Sequence, residues 1–199
     1  YAQIRTGLEV LIESDLTDLK NKRISLITNK TGVDRFLSNN YRLLKENDLD
    51  VRKIFTPEHG FLIDKEAGEK VKNGKIDDIE VVSLYGKHKA PKKEDLENID
   101  VLIYDIQDVG VRCFTYISTM KLAMKAAYNN NIHFVVLDRP NPISPISPDG
   151  LMVDVENISF VSNHNIPFIY GLTAGELAKM IKDDELYKDL NLTVYKMRN

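Results

Sequence analysis

The chain has 199 residues, 43% of them hydrophobic and 29% charged, with a net charge of −3. This is an ordinary composition for one solid globular core, and it leaves no basic stripe to track nucleic-acid phosphates, so no nucleic-acid partner is expected. No apolar run approaches the ~20 residues of a membrane span, and a lone cysteine, Cys113, excludes an internal disulfide and metal sites built on cysteine pairs.

Strands and helices alternate along the chain. Thr6-Gly7-Leu8-Glu9 has the form of a capping box, and Leu8, Leu11 and Ile12 share one face of the short helix it opens. Ile24–Thr28 is the first predicted strand. Ser38–Asn47 is a helix with Tyr41 and Leu44 inward, and Val51–Phe55 is the second strand. Further strands follow at Glu80–Leu84 and Val101–Tyr104. Cys113, Ile117, Met120, Met124 and Ala127 recur at helical spacing. They predict a long helix that buries Cys113 as a small inert hydrophobe and stops near Asn129–Asn131. Phe134–Leu137 is almost wholly apolar, as in a strand covered on both faces. Thr173-Ala174-Gly175-Glu176 is a second capping box, opening a helix through Leu177, Met180 and Ile181, and Leu192–Tyr195 is the last strand.

This alternation predicts a Rossmann-like, doubly wound, mostly parallel α/β sheet with helices on both faces, in a single domain over residues 1–199. Arg139–Pro167 breaks the rhythm, with Pro140, Pro142, Pro145, Pro148 and Pro167 and no periodicity. A segment of that kind is expected to cover a site or to dock another part of the protein. The basic run Lys87–Lys93, interrupted by Ala90 and Pro91, reads as a solvated loop.

The most informative stretch is FTPEHGF, Phe55–Phe61, where an apolar strand stops at Pro57 and Glu58, His59 and Gly60 follow at once. Ligands of open α/β sheets bind at the carboxyl ends of strands, and Glu and His are the usual groups for general acid–base work. Polar residues follow the other strands in the same way. Asn29, Lys30 and Thr31 follow the first, Tyr85 the third, Asp105, Gln107, Asp108 and Arg112 the fourth, and Asp138, Arg139 and Asn141 the fifth. Each has a plain alternative. Asp105 or Asp108 would serve as a helix cap, Asp138-Arg139 as a local ion pair, and Asn29–Gly32 as a turn. Their coincidence at five strand ends predicts one crevice.

Other chemistries lack their motifs. No G-x-G-x-x-G follows a strand, and no G-x-S-x-G elbow is present. Gly68 to Gly74-Lys75 is one residue too long for a phosphate loop and continues into Ile76 instead of Ser or Thr. His59, His88, His133 and His164 lack metal-ligand spacing, and His133, ahead of an apolar strand, reads as structural. Aromatic residues are not interleaved with a basic surface. What remains is carboxylate chemistry on a polar substrate, for which a pair of acids flanking a glycosidic bond is the general device.

The segments SLITNKTGVDR (Ser25–Arg35), TPEHGF (Thr56–Phe61), AGEKV (Ala67–Val71), SLYG (Ser83–Gly86), IDVLIYDIQDVGVRCFTYISTM (Ile99–Met120) and VVLDRPNP (Val135–Pro142) together resemble the bacterial exo-β-N-acetylmuramidase family, long catalogued as a domain of unknown function. The resemblance runs from Thr6 to about Met197 and covers the amino-terminal, Rossmann-like half of that family's longer architecture. It implies release of N-acetylmuramic acid from the non-reducing ends of peptidoglycan fragments. It also implies a cleft completed by a carboxyl-terminal subdomain, no cofactor and no metal. Carried over by motif, Glu58 is the first catalytic candidate, with His59, Asp105 and Asp108 beside it. Asn29, Thr31, Tyr85, Gln107, Arg112, Tyr116, Asp138, Arg139 and Asn141 are the substrate-binding candidates. A place in the bacterial cell envelope, periplasmic or secreted, is implied as well. The chain begins at Tyr1 and shows no signal peptide, as a mature or trimmed product would.

Three places depart from the family pattern. Leu62-Ile63 stands where Arg-Gly is usual, Asp149 where a Glu is expected, and Ile169-Tyr170-Gly171 where Arg-His-Gly is usual. These changes support an alternative, a non-catalytic relative that binds a cell-wall fragment or another glycan.

Overall fold

The structure is a computed structural model that describes residues 4–58, 60, 74–86, 88–143, 147–184 and 187–199. The elements run α1 (Gly7–Ile12), β1 (Arg23–Thr28), α2 (Asn40–Glu46), β2 (Asp50–Thr56), β3 (Gly74–Ile76), β4 (Ile79–Ser83), β5 (Val101–Asp105), α3 (Tyr116–Asn129), β6 (His133–Leu137), α4 (Ala174–Asp184) and β7 (Leu192–Tyr195). The strands form a seven-stranded sheet in the order β3-β4-β2-β1-β5-β6-β7. Among the described strands only β3 is antiparallel to its neighbour. Setting that edge strand aside, the order is the Rossmann-type one, with its switch point between β1 and β5. The predicted fold class is borne out.

The sequence pattern explains the layers. The inner strands read as continuous apolar runs because both of their faces are covered. On one face α1 and α2 pack with Leu8, Leu11, Tyr41, Leu44, Leu26 and Ile54. On the other, α3 and α4 pack with Ile117, Met120, Met124, Leu177, Tyr104 and Phe134. Both capping boxes form. Thr6 N donates to Glu9 Oε2 at 2.7 Å, Thr173 N donates to Glu176 Oε2 at 2.9 Å, and Glu176 N returns to Thr173 Oγ1 at 3.2 Å. His133 Nε2 lies 2.8 Å from Thr193 Oγ1, a structural partner between β6 and β7.

Two expectations are corrected here. Periodicity placed no strand between Phe55 and Glu80, yet Gly74–Ile76 pairs antiparallel with β4 around a tight turn at Asp77, whose φ is 50°. Three residues are too few to show a period. The other correction is Cys113, which is exposed. The apolar helix begins at Tyr116, so Cys113 sits in the turn before it and falls off the buried face that spacing assigned to it.

Candidate active site

The switch point is stitched together by side-chain and backbone groups from three strand ends. After β1, Asn29 Oδ1 accepts from Thr31 N at 2.9 Å and from Thr31 Oγ1 at 2.6 Å. Thr31 Oγ1 in turn accepts the Gln107 N–H at 2.9 Å, joining the loops after β1 and β5. Gln107 Nε2 donates to the Asp108 carbonyl at 2.8 Å and to the Pro140 carbonyl at 2.7 Å, which adds the loop after β6.

Above these loops lies a pocket of about 440 Å³, within the usual size for a small-molecule site. Thr31, Glu58, Gln107, Asp108, Thr115 and Tyr116 line it, with Val109, Cys113, Phe114 and Pro142 as its less polar wall. Glu58 is half-buried, and its Oε2 accepts the Thr115 hydroxyl at 2.9 Å. Thr115 is the N-cap of α3 and makes no side-chain cap bond, since its hydroxyl serves Glu58 instead. Asp108 is 6% exposed. Its Oδ2 accepts the Gly110 N–H at 2.8 Å and the Tyr170 hydroxyl, while its Oδ1 is buried with no hydrogen-bond partner. Burial pushes the Asp108 carboxyl up against the pull of Tyr170 and of the Gly110 and Val109 amides. Burial, then the charges of Glu58 and Asp108, raise the Tyr116 phenol, which stays neutral between the two acids. Asn29 approaches Tyr116 closely enough to lower that phenol slightly. Its amide nitrogen makes no hydrogen bond of ordinary geometry and is left buried and unpaired.

The other candidates lie outside this lining. Asp105 is fully buried, and both its oxygens are held, by Arg139 and by Asn40 Nδ2 at 2.8 Å. Burial opposes the Arg139 cation, and the Asp105 charge outweighs it, so the Arg139 pKa is raised. Neither Asp105 nor Asp108 caps the long helix, and Arg139 pairs with Asp105 instead of forming a local ion pair with Asp138. Asp138 accepts the Gly175 N–H and the Thr173 hydroxyl, each at 2.8 Å, anchoring the start of α4. Arg112 donates to Ser162 Oγ at 2.9 Å, to the Leu151 carbonyl at 2.8 Å and to the Ile166 carbonyl, and so braces the Pro-rich segment. Asn141 Nδ2 donates to the Leu172 carbonyl at 3.0 Å. The Tyr85 and Phe160 rings take the Lys89 ammonium between them at 4.3 and 4.2 Å. His59 lies outside the described residues.

Sequence reading thus put Thr31, Glu58, Gln107, Asp108 and Tyr116 in the set that meets at the pocket, and missed Val109, Cys113, Phe114, Thr115 and Pro142 of its lining and Tyr170 behind Asp108. Thr115 lies 57 positions from Glu58, and Tyr170 lies 62 from Asp108. No spacing signal reaches across such distances.

Fold and site define a doubly wound α/β protein with paired carboxylates in a crevice at its switch point. The chain belongs to the family described as exo-beta-N-acetylmuramidase NamZ, N-terminal, whose model matches residues 24–199, in line with the expectation from its motifs. It is 44% identical over 201 residues to the peptidoglycan beta-N-acetylmuramidase NamZ of Bacillus subtilis (strain 168), covering 99% of this chain and 48% of that protein. Crystal structures of two DUF1343 family proteins from Bacteroides fragilis NCTC 9343 share the fold. One has a TM-score of 0.91 at 46% identity and the other 0.84 at 32%. All of this chain is covered in both cases, against 51% and 53% of theirs. The chain spans about half the length of the relatives it matches.

Proposed function

We propose that the protein is an exo-acting β-N-acetylmuramidase that removes N-acetylmuramic acid from the non-reducing ends of peptidoglycan fragments in the cell envelope. The observation that carries this reading is the meeting of Glu58 and Asp108 in one pocket, in different environments. Two acids set apart by their surroundings are the usual sign of divided acid and base roles. Asp108, raised by burial and with Oδ1 unpaired among the described residues, would give a proton to the leaving glycosidic oxygen. Glu58, half-buried and held by the Thr115 hydroxyl, would act as the second carboxylate of the pair. Tyr116, neutral between them, offers a hydroxyl to the sugar. Asp105, Asp138, Arg139, Arg112 and Asn141 act behind the site as its scaffold.

A carboxyl-terminal half would complete the cleft. Leu151, Met152, Val155 and Val161 of the Pro-rich segment, and Phe168 just after it, are exposed, which suits a surface that docks such a partner.

The test is release of the chromophore from a chromogenic N-acetylmuraminide, by the full-length protein and by this chain alone. Release by the full-length protein supports the reading. Sugar binding without release by the full-length protein assigns it to glycan binding.

A further inference from the structure

Asp108 carries an asymmetry that the pocket alone does not require. Among the described residues Oδ2 accepts hydrogen bonds from two donors, the Gly110 amide and the Tyr170 hydroxyl, while Oδ1 has no such partner; the Val109 amide also approaches the carboxyl. Tyr170 is 3% exposed and is not part of the pocket lining, so it reaches Asp108 from behind. Its backbone is fixed independently of that hydroxyl. Ile169 exchanges hydrogen bonds with Asp149 at 2.9 and 2.8 Å, and Arg112 N donates to the Phe168 carbonyl at 2.8 Å. Gly110 holds its amide in place with a φ of +87°, a conformation open to glycine, and a Cβ there would lie 2.2 Å from Asn141 Oδ1.

We propose that Tyr170 is the positioning residue of Asp108: its hydroxyl, together with the Gly110 amide, occupies Oδ2 and fixes the carboxyl so that Oδ1 is the oxygen presented to a ligand in the pocket. The terminal torsion of an aspartate is soft and roughly two-fold, so without such restraint either oxygen can turn outward. An oxygen that already accepts two hydrogen bonds has little room for a proton, so when Asp108 is protonated the proton sits on Oδ1 and can be donated. The groups that interact with Asp108 from the packed elements are Tyr104 of β5, Tyr116 of α3 and Tyr170 itself, and Glu58 acts on Tyr116 as well. The phenols are all raised, by burial first, so they stay neutral, and of the three it is Tyr170 whose hydroxyl donates to Asp108. The catalytic consequence rests on the glycosidase reading above, but the positioning does not.

The experiment replaces the donor and reads Asp108 directly. Tyr170→Phe keeps the buried ring and removes the hydroxyl. In this chain, carbon NMR of the labelled Asp108 carboxyl should then titrate at higher pH than in the wild type, because a bond to the ionised form is lost. A 3,5-difluorotyrosine placed at position 170 is a stronger donor of nearly the same size and should move the titration to lower pH. In the full-length protein, Tyr170→Phe should lower kcat about 10-fold, as for a misplaced general acid, with KM nearly unchanged. The limb of the pH profile that reports Asp108 should move with the NMR titration. If Asp108 titrates identically in all three proteins, the proposal is overturned, even where Tyr170→Phe lowers Tm, because Tyr170 then only fills space. If Tyr170→Phe does not fold, the difluorotyrosine protein decides by the same criterion. If the titrations move as stated but the wild-type full-length protein releases no sugar, the positioning stands and the glycosidase reading fails.

Discussion

Asp105 and Arg139 form a buried two-point ion pair beneath the carboxyl ends of the central strands. Arg139 Nε meets Oδ1 at 2.6 Å and Nη2 meets Oδ2 at 3.2 Å. Thr28 Oγ1 donates to the Asp105 carbonyl at 2.8 Å, and Arg139 Nη2 also donates to the Val33 carbonyl at 3.0 Å. The pair therefore locks the loops after β1, β5 and β6 to one another just below the pocket. Fully buried and with both oxygens held by Arg139 and Asn40, Asp105 is a foundation of the site and lies outside the pocket lining.

Removing the cation from that pair leaves a carboxylate buried without its partner. Arg139→Met should destabilise the chain by about 3–5 kcal/mol in urea unfolding. Adding Asp105→Asn to that variant should restore part of the loss, since the uncompensated charge is then gone. An Arg139→Met protein as stable as the wild type would mean that Asp105 gains its stability elsewhere.

Glu58→Gln in the full-length protein keeps the shape and the Thr115 contact but cannot exchange a proton. Turnover of an N-acetylmuraminide should fall by ~10²–10⁴ while Tm changes little. Wild-type turnover in this variant would remove Glu58 from the chemistry.

Asp108 makes a prediction about stability as well as rate. Burial raises its folded-state pKa above the ordinary 3.8. Between 3.8 and that raised value the native state keeps a proton the unfolded chain has released, so stability falls as pH rises through the window and stays reduced above it. Asp108→Asn should therefore raise Tm at pH 7 and give no gain below about pH 3, while abolishing turnover. Thermal scans at the two pH values check the sign.

Cys113 should react promptly with a thiol reagent in the native protein, because it is exposed on the pocket wall beside Glu58 and Phe114. A ligand seated in the pocket should slow that labelling, and Cys113→Ser should remove it. Labelling unaffected by any sugar that binds would place the sugar elsewhere.

The sequence by itself determined the class of fold, the order of its main strands and helices, and the family. Apolar runs for strands covered on both faces, helical spacing in α3 and the Thr6–Glu9 and Thr173–Glu176 boxes are local patterns, and local patterns are legible in one chain. The family's motifs fall at strand ends and marked Glu58 and Asp108. Tertiary structure decided the division of labour among those polar residues. Asp105 and Asp138 are carboxylates at strand ends just as Glu58 and Asp108 are, and only burial and partners separate brace from pocket. It also brought Thr115 to Glu58 and Tyr170 to Asp108, and turned Cys113 outward. The physical reason is range. Periodicity and capping act over a few residues, whereas solvation and hydrogen bonding of a carboxylate depend on whatever the completed sheet places against it.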